Sequence, residues 1–173
     1  MLIWKKPNSP VIAPYLSAYI NLVPDGDLIN ILELNEIQTV ALVGSLTREK
    51  LTYRYEHGKW SIPQLLLHVI DTERIFAYRI LRIARGDKTP LSGYEENDYA
   101  AASRADERDF KEILDEFVSV RRATISLLKS LSQDSLEQTG FANKKEISVL
   151  SLCYVIAGHA LHHNKVIQDK YLS

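Results

Sequence analysis

The chain has 173 residues, 46% hydrophobic and 25% charged, enough for one globular domain with a sizeable core. Its 21 basic and 22 acidic residues nearly cancel to a net charge of −1, and adjacent Lys or Arg residues never run beyond a pair, which argues against the basic stripe of a nucleic-acid binder. A single cysteine, Cys153, excludes a disulfide framework, and no stretch approaches the roughly 20 apolar residues that span a bilayer.

Met1-Leu-Ile-Trp-Lys-Lys-Pro7 is too short in apolar residues for a secretory leader, so a cytoplasmic protein is expected. One domain over residues 1–173 is expected, with residues 1–26 as an N-terminal arm. Pro7, Pro10, Pro14 and Pro24 make that arm irregular. Trp4, Tyr15, Leu16, Tyr19, Ile20 and Leu22 give it an apolar face, to lie along the domain or on a partner subunit. The first long helix runs from about Asp27, a plausible N-cap, to Ser45. The second opens at Ser61-Ile-Pro-Gln64, a capping box with Pro in the first turn, and continues to Arg85 before Gly86 and Pro90 end it. Residues 87–102 read as a long polar connection. Ser103-Arg-Ala-Asp106 resembles another capping signature, placing the third helix over about 106–130, and the fourth spans about 148–170, apolar nearly all round at its start. No segment shows strand alternation. Ser45–Leu51 and Ser130–Leu136 echo each other, as either a structural repeat or two ordinary helix-ending turns. Four helices with one long central connection suit an all-α four-helix bundle.

The histidines carry the chemistry. His159 and His163 are four apart, one turn above each other on one face, so both imidazoles can reach one ion. His162, three from His159, could substitute by spacing, though the three rings of this segment do not all converge. Gly158 lets a backbone or ligand come close. The third candidate is His68, in the apolar run Leu65–Ile70, where a core imidazole must find a hydrogen bond or a metal. Asp71, one turn on, is a candidate to orient a ligand histidine or to act as a fourth ligand. The competing reading leaves these as core histidines held by carbonyls or carboxylates. His57 belongs to an exposed loop, Cys153 to the core, and Glu73 to a surface pair with Lys or Arg. Tyr94 and Tyr99 are candidates for a pocket mouth. No ferritin-type Glu-x-x-His pair occurs, which counts against a di-iron bundle.

Gly58-Lys-Trp-Ser-Ile-Pro-Gln64 leading into His68-Val-Ile-Asp-Thr-Glu73, then Arg82-Ile-Ala-Arg-Gly-Asp87, then Ala157-Gly-His-Ala-Leu-His-His163 together resemble the DinB-like superfamily. That group includes YfiT-like metal-dependent hydrolases and thiol-dependent S-transferases. The resemblance implies an up-down-down-up bundle, often dimeric, with nickel or zinc on His68, His159 and His163, and so selects His163 over His162. The expected function is a divalent-metal enzyme presenting a low-molecular-weight thiol to a small electrophile. The alternatives are hydrolysis of a small substrate through bound hydroxide, or a non-enzymatic dimeric bundle with structural histidines. A homodimer with no nucleic-acid or membrane partner is expected.

Overall fold

The structure, a computed structural model, describes residues 2–173; Met1 of the expected arm lies outside them. In chain order the elements are α1 (Pro14–Leu22), α2 (Leu28–Val43), α3 (Arg48–Thr52), α4 (Ile62–Ala84), α5 (Glu96–Ala102), α6 (Phe110–Lys129), α7 (Gln133–Leu136), β1 (Thr139–Ala142), β2 (Lys145–Ser148) and α8 (Val149–Val166). A π-helical turn, Ile167–Tyr171, prolongs α8.

The long helices α2, α4, α6 and α8 form the bundle. Lys129 on Glu33 and Arg122 on Glu36 run α6 antiparallel to α2. Glu73 on Arg121 and Arg74 on Glu116 bring the same level of α4 and α6 together, and Ile62 and Ile80 share their clusters with Ile113 and Ile125 respectively, so these two helices are parallel. His68 against His159 and His163 near one end, and Phe76 to Ile83 clustered with Val149 to Ala157 near the other, make α8 antiparallel to α4. The helix directions are therefore up-down-down-up, as expected.

The helix starts follow local chemistry. Asp27 accepts from the Asn30 N–H at 3.0 Å, and Ser61 and Gln64 close the capping box of α4 at 3.3 and 3.1 Å. Helix α6 differs from expectation. Its cap is Asp109, while Ser103 bonds within its own turn and Arg104 takes a left-handed φ of 52° that breaks the backbone before a short 3₁₀ turn. Two further expectations are corrected. The arm is not irregular throughout: Pro14 stands at the first helical position of α1, where its missing N–H costs nothing, and α1 packs along α8. Leu2, Trp4, Ile12 and Leu16 lie against the core of their own chain. Residues 139–148 form an antiparallel hairpin, turning at Asn143 and Lys144 with φ of 49° and 61°. Leu91 hydrogen-bonds to this hairpin at Phe141 and Asn143, which pins the connection after α4. The echoed segments become the short helices α3 and α7, capped by Thr47 and Ser132.

The core divides into two apolar clusters, one holding Leu32, Ile80, Leu128 and Leu152, the other Val43, Leu66, Phe117 and Ile167. At the level between them every bundle helix turns polar inward: Asn35 and Thr39 on α2, Thr72 and Glu73 on α4, Arg121 and Thr124 on α6, His159 on α8. The candidate site lies at this belt.

Candidate metal centre

His68 and His159 are buried and His163 nearly so, and one ring nitrogen from each lies within 4.8 Å of the others. His159 Nε2 stands 3.0 Å from His68 Nε2 and 3.1 Å from His163 Nε2. An imidazole nitrogen has one in-plane orbital, either a lone pair or an N–H, so His159 Nε2 can meet only one neighbour squarely. Hydrogen bonding within the cluster is therefore always incomplete. A cation at the common point would use all three lone pairs. Ligand nitrogens about 2.0–2.1 Å from one ion lie about 2.9 Å apart at right angles and about 3.4 Å apart at the tetrahedral angle. The two separations from His159 Nε2 fall in that interval, the third lies within 4.8 Å, and the donor set fits a divalent transition metal.

Electrostatics favours the neutral form such ligands need. Burial lowers His68 to about 4. Burial, with the neighbouring imidazoles His68 and His162, lowers His163 to about 3. His159 falls well below its ordinary value through burial first, then the rings around it. Aromatic contacts hold the rings in place: Tyr19 lies edge-on 5.2 Å from His159, and Trp60 lies tilted 4.8 Å from His68, centroid to centroid. Gly158 makes the first contact possible, because a Cβ there would stand 1.9 Å from the Tyr19 carbonyl oxygen.

His162 lies outside the converging nitrogens, its ring 5.0 Å from that of His163. Asp71 makes no hydrogen bond to the three imidazoles among the described residues; it pairs with Arg74 at 3.5 Å, on the side facing Glu116 and Arg108. His57 is exposed, as expected. Cys153 is fully buried, which pushes its thiol well up and leaves it inert. Glu73 is corrected. It is 3% exposed and forms a forked pair with the fully buried Arg121, its carboxylate accepting from Nε and Nη2 at 2.8–3.1 Å. Arg121 Nη1 donates to the Leu32 carbonyl and to Asn35 Oδ1.

A cavity of about 340 Å³ opens onto His68 and His159, walled by Tyr15, Tyr19, Thr72, Phe76, Arg79 and Tyr94. A second, about 300 Å³, reaches His163 past Trp60, His162 and Tyr171. Tyr94 does line the first, hydrogen-bonded to Thr72 at 2.7 Å. The walls from α1 were not legible in a segment read as irregular, and Arg79 had no sequence signal beyond its place on the His68 face, eleven residues on.

Fold and site define a helical bundle with a buried cluster of three imidazoles in its polar belt. The model of the DinB superfamily matches residues 31–167, and the chain belongs to that superfamily. A protein of Oceanobacillus iheyensis named as a putative metal-dependent hydrolase is 28% identical over 123 residues, 70% of each chain. YfiT from Bacillus subtilis, described as a probable metal-dependent hydrolase with an unusual four-helix bundle topology, superposes with a TM-score of 0.75 at 18% identity, covering 96% of this chain and 90% of its own. The mycothiol-dependent maleylpyruvate isomerase superposes with a TM-score of 0.68 at 10% identity, covering 84% of this chain and 61% of its own. The last two likenesses are of fold.

Proposed function

We propose that His68, His159 and His163 hold a divalent ion, nickel or zinc, and that the chain is a metal-dependent enzyme activating a low-molecular-weight thiol for transfer to a small electrophile. The carrying observation is the convergence of Nε2 atoms from two buried histidines and one nearly buried, whose mutual hydrogen bonding is always incomplete. An ion on three neutral imidazoles keeps open positions and lowers the pKa of a thiol or water placed there. The protein's own part is positional. Burial keeps the rings unprotonated, Tyr19 and Trp60 fix their planes, and the cavity beside His68 and His159 admits a small molecule while α1 covers it. Thiol chemistry is supported by the mycothiol dependence of one structural relative. Hydrolysis is the second reading, favoured by the names of the Oceanobacillus and Bacillus relatives.

The test is elemental analysis of gently purified protein, followed by incubation of metal-loaded protein with a thiol and a generic electrophile. Stoichiometric metal, lost in His159→Ala, and conjugation above that variant's rate support the proposal. Ester or amide hydrolysis with no conjugation gives the second reading. Absence of transition metal, with His68→Ala costing only stability, makes the histidines structural.

A further inference from the structure

The cavity beside His68 and His159 contains a buried cation without a counter-ion. Arg79 is 5% exposed, yet no carboxylate lies within ion-pair distance of it among the described residues. Its one side-chain hydrogen bond there runs from Nη2 to the Ser92 carbonyl at 2.8 Å, and its guanidinium lies 5.4 Å from the Phe76 ring centre. The other two buried or half-buried arginines nearby are satisfied: Arg121 by Glu73, Arg82 by Asp87. A desolvated guanidinium is costly unless a negative group meets it, and its fork matches a carboxylate in two parallel hydrogen bonds.

Placement says where that group would come from. His68, Thr72, Phe76 and Arg79 follow one another along a single face of α4, and all four line the same cavity. The eleven residues from His68 to Arg79 rise about 16 Å along the helix, and a helical side chain leans toward the N-terminus, so Arg79 reaches back toward the histidines. Arg79, Gly93 and Tyr94 also line the neighbouring cavity of about 530 Å³, so the guanidinium stands where the two spaces meet. Glu95 and Glu96 stand at the rim of the first cavity, exposed and screened by water. One buried cation in a cavity that already carries two carboxylates at its rim suits a single negative charge rather than a phosphate dianion.

The geometry points to a carboxylate-binding subsite at Arg79: the small molecule that enters this cavity is elongated, its reacting end at the three histidines and a terminal carboxylate on the guanidinium. This deepens the proposed function and rests on it for the reacting end only. The probes are ω-mercaptohexanoate, its primary amide, and the thiol-free hexanoate and hexanamide, titrated into zinc-loaded protein by ligand-observed NMR. In the wild-type protein each acid binds about ten- to a hundredfold tighter than its amide, the strength of a charged hydrogen-bonded pair. Arg79→Gln removes that ratio and leaves the amides unchanged; Arg79→Lys, which keeps the charge and loses the fork, retains part of it. Equal affinity of acid and amide in the wild-type protein overturns the subsite, whatever the variants' folding, as does a ratio that survives Arg79→Gln. The thiol-to-thiol-free ratio reads the metal proposal separately: an acid preference without a thiol preference keeps Arg79 and removes thiol activation.

Discussion

Glu73 and Arg121 set the terms on which the bundle tolerates a polar centre. Desolvating two charges costs several kcal/mol each, recovered only when every lone pair and proton finds a partner. Arg121 comes close to that condition with Glu73, Asn35 and the Leu32 carbonyl, Asn35 Nδ2 being the buried atom of the network left without a partner, and its guanidinium also lies 5.3 Å from the Phe117 ring centre. Glu73→Ala, which strands a buried guanidinium, is expected to lower unfolding free energy by about 3–5 kcal/mol, whereas Glu73→Leu with Arg121→Met recovers most of that loss. Urea melts of the single and double variants check this; a single variant within error of wild type would remove the network from the stability account. The pair was hidden because the sequence shows only that Glu73 lies off the His68 face of α4, and in a bundle that face can belong to another neighbour. The histidines were legible for the opposite reason, since apolar runs on both sides of His68 and ahead of His159 leave those rings nowhere to go but inward.

Helix α1 shows how an element can be misread when one residue type is taken at its average meaning. Proline forbids helix interiors but suits a first turn, and Pro14 opens nine residues of helix that roof the site through Tyr19. The hairpin was missed because its strands are four residues each and its turn, Asn143-Lys144, lacks the usual glycine. The long helices, with capping residues and sustained apolar stripes, were read within a few residues at most ends. Contact between α1 and α8 depends on one glycine. Gly158→Ala improves helix propensity by about 1 kcal/mol, but the added Cβ falls 1.9 Å from a backbone oxygen and 2.5 Å from a backbone carbon of Tyr19. No flexible side chain can yield there, so α1 must shift. The net expectation is a loss of about 1–3 kcal/mol, typical of overpacking, with faster hydrogen exchange at Tyr19–Leu22 and unchanged exchange in α4 and α6. Unaltered protection of α1 in the alanine variant would count against its docking on α8.

The whole molecule couples its stability to the protonation of this belt. His68 is held down to about 4 and His163 to about 3, with His159 lower than its ordinary value as well, each chiefly by burial. In the unfolded chain the same rings titrate at 6.5. Between those values the unfolded chain takes up protons that the fold refuses, so stability is complete above 6.5 and declines as pH falls toward about 4 and then 3. Each proton bound only by the unfolded chain removes about 1.4 kcal/mol per pH unit. Metal-free protein should therefore show a thermal midpoint that drops steeply below pH 6.5, and His163→Gln should flatten that slope because one titrating ring is gone. Divalent metal adds stability near neutrality by binding the folded state alone, then loses it in the same window as protons compete for the nitrogens, so the loaded protein descends more steeply than the metal-free one. Scanning calorimetry with and without chelator separates the two curves. A metal-free midpoint flat from 6.5 to about 4 would mean the rings take up protons in place, and the belt would then be open to water rather than dry.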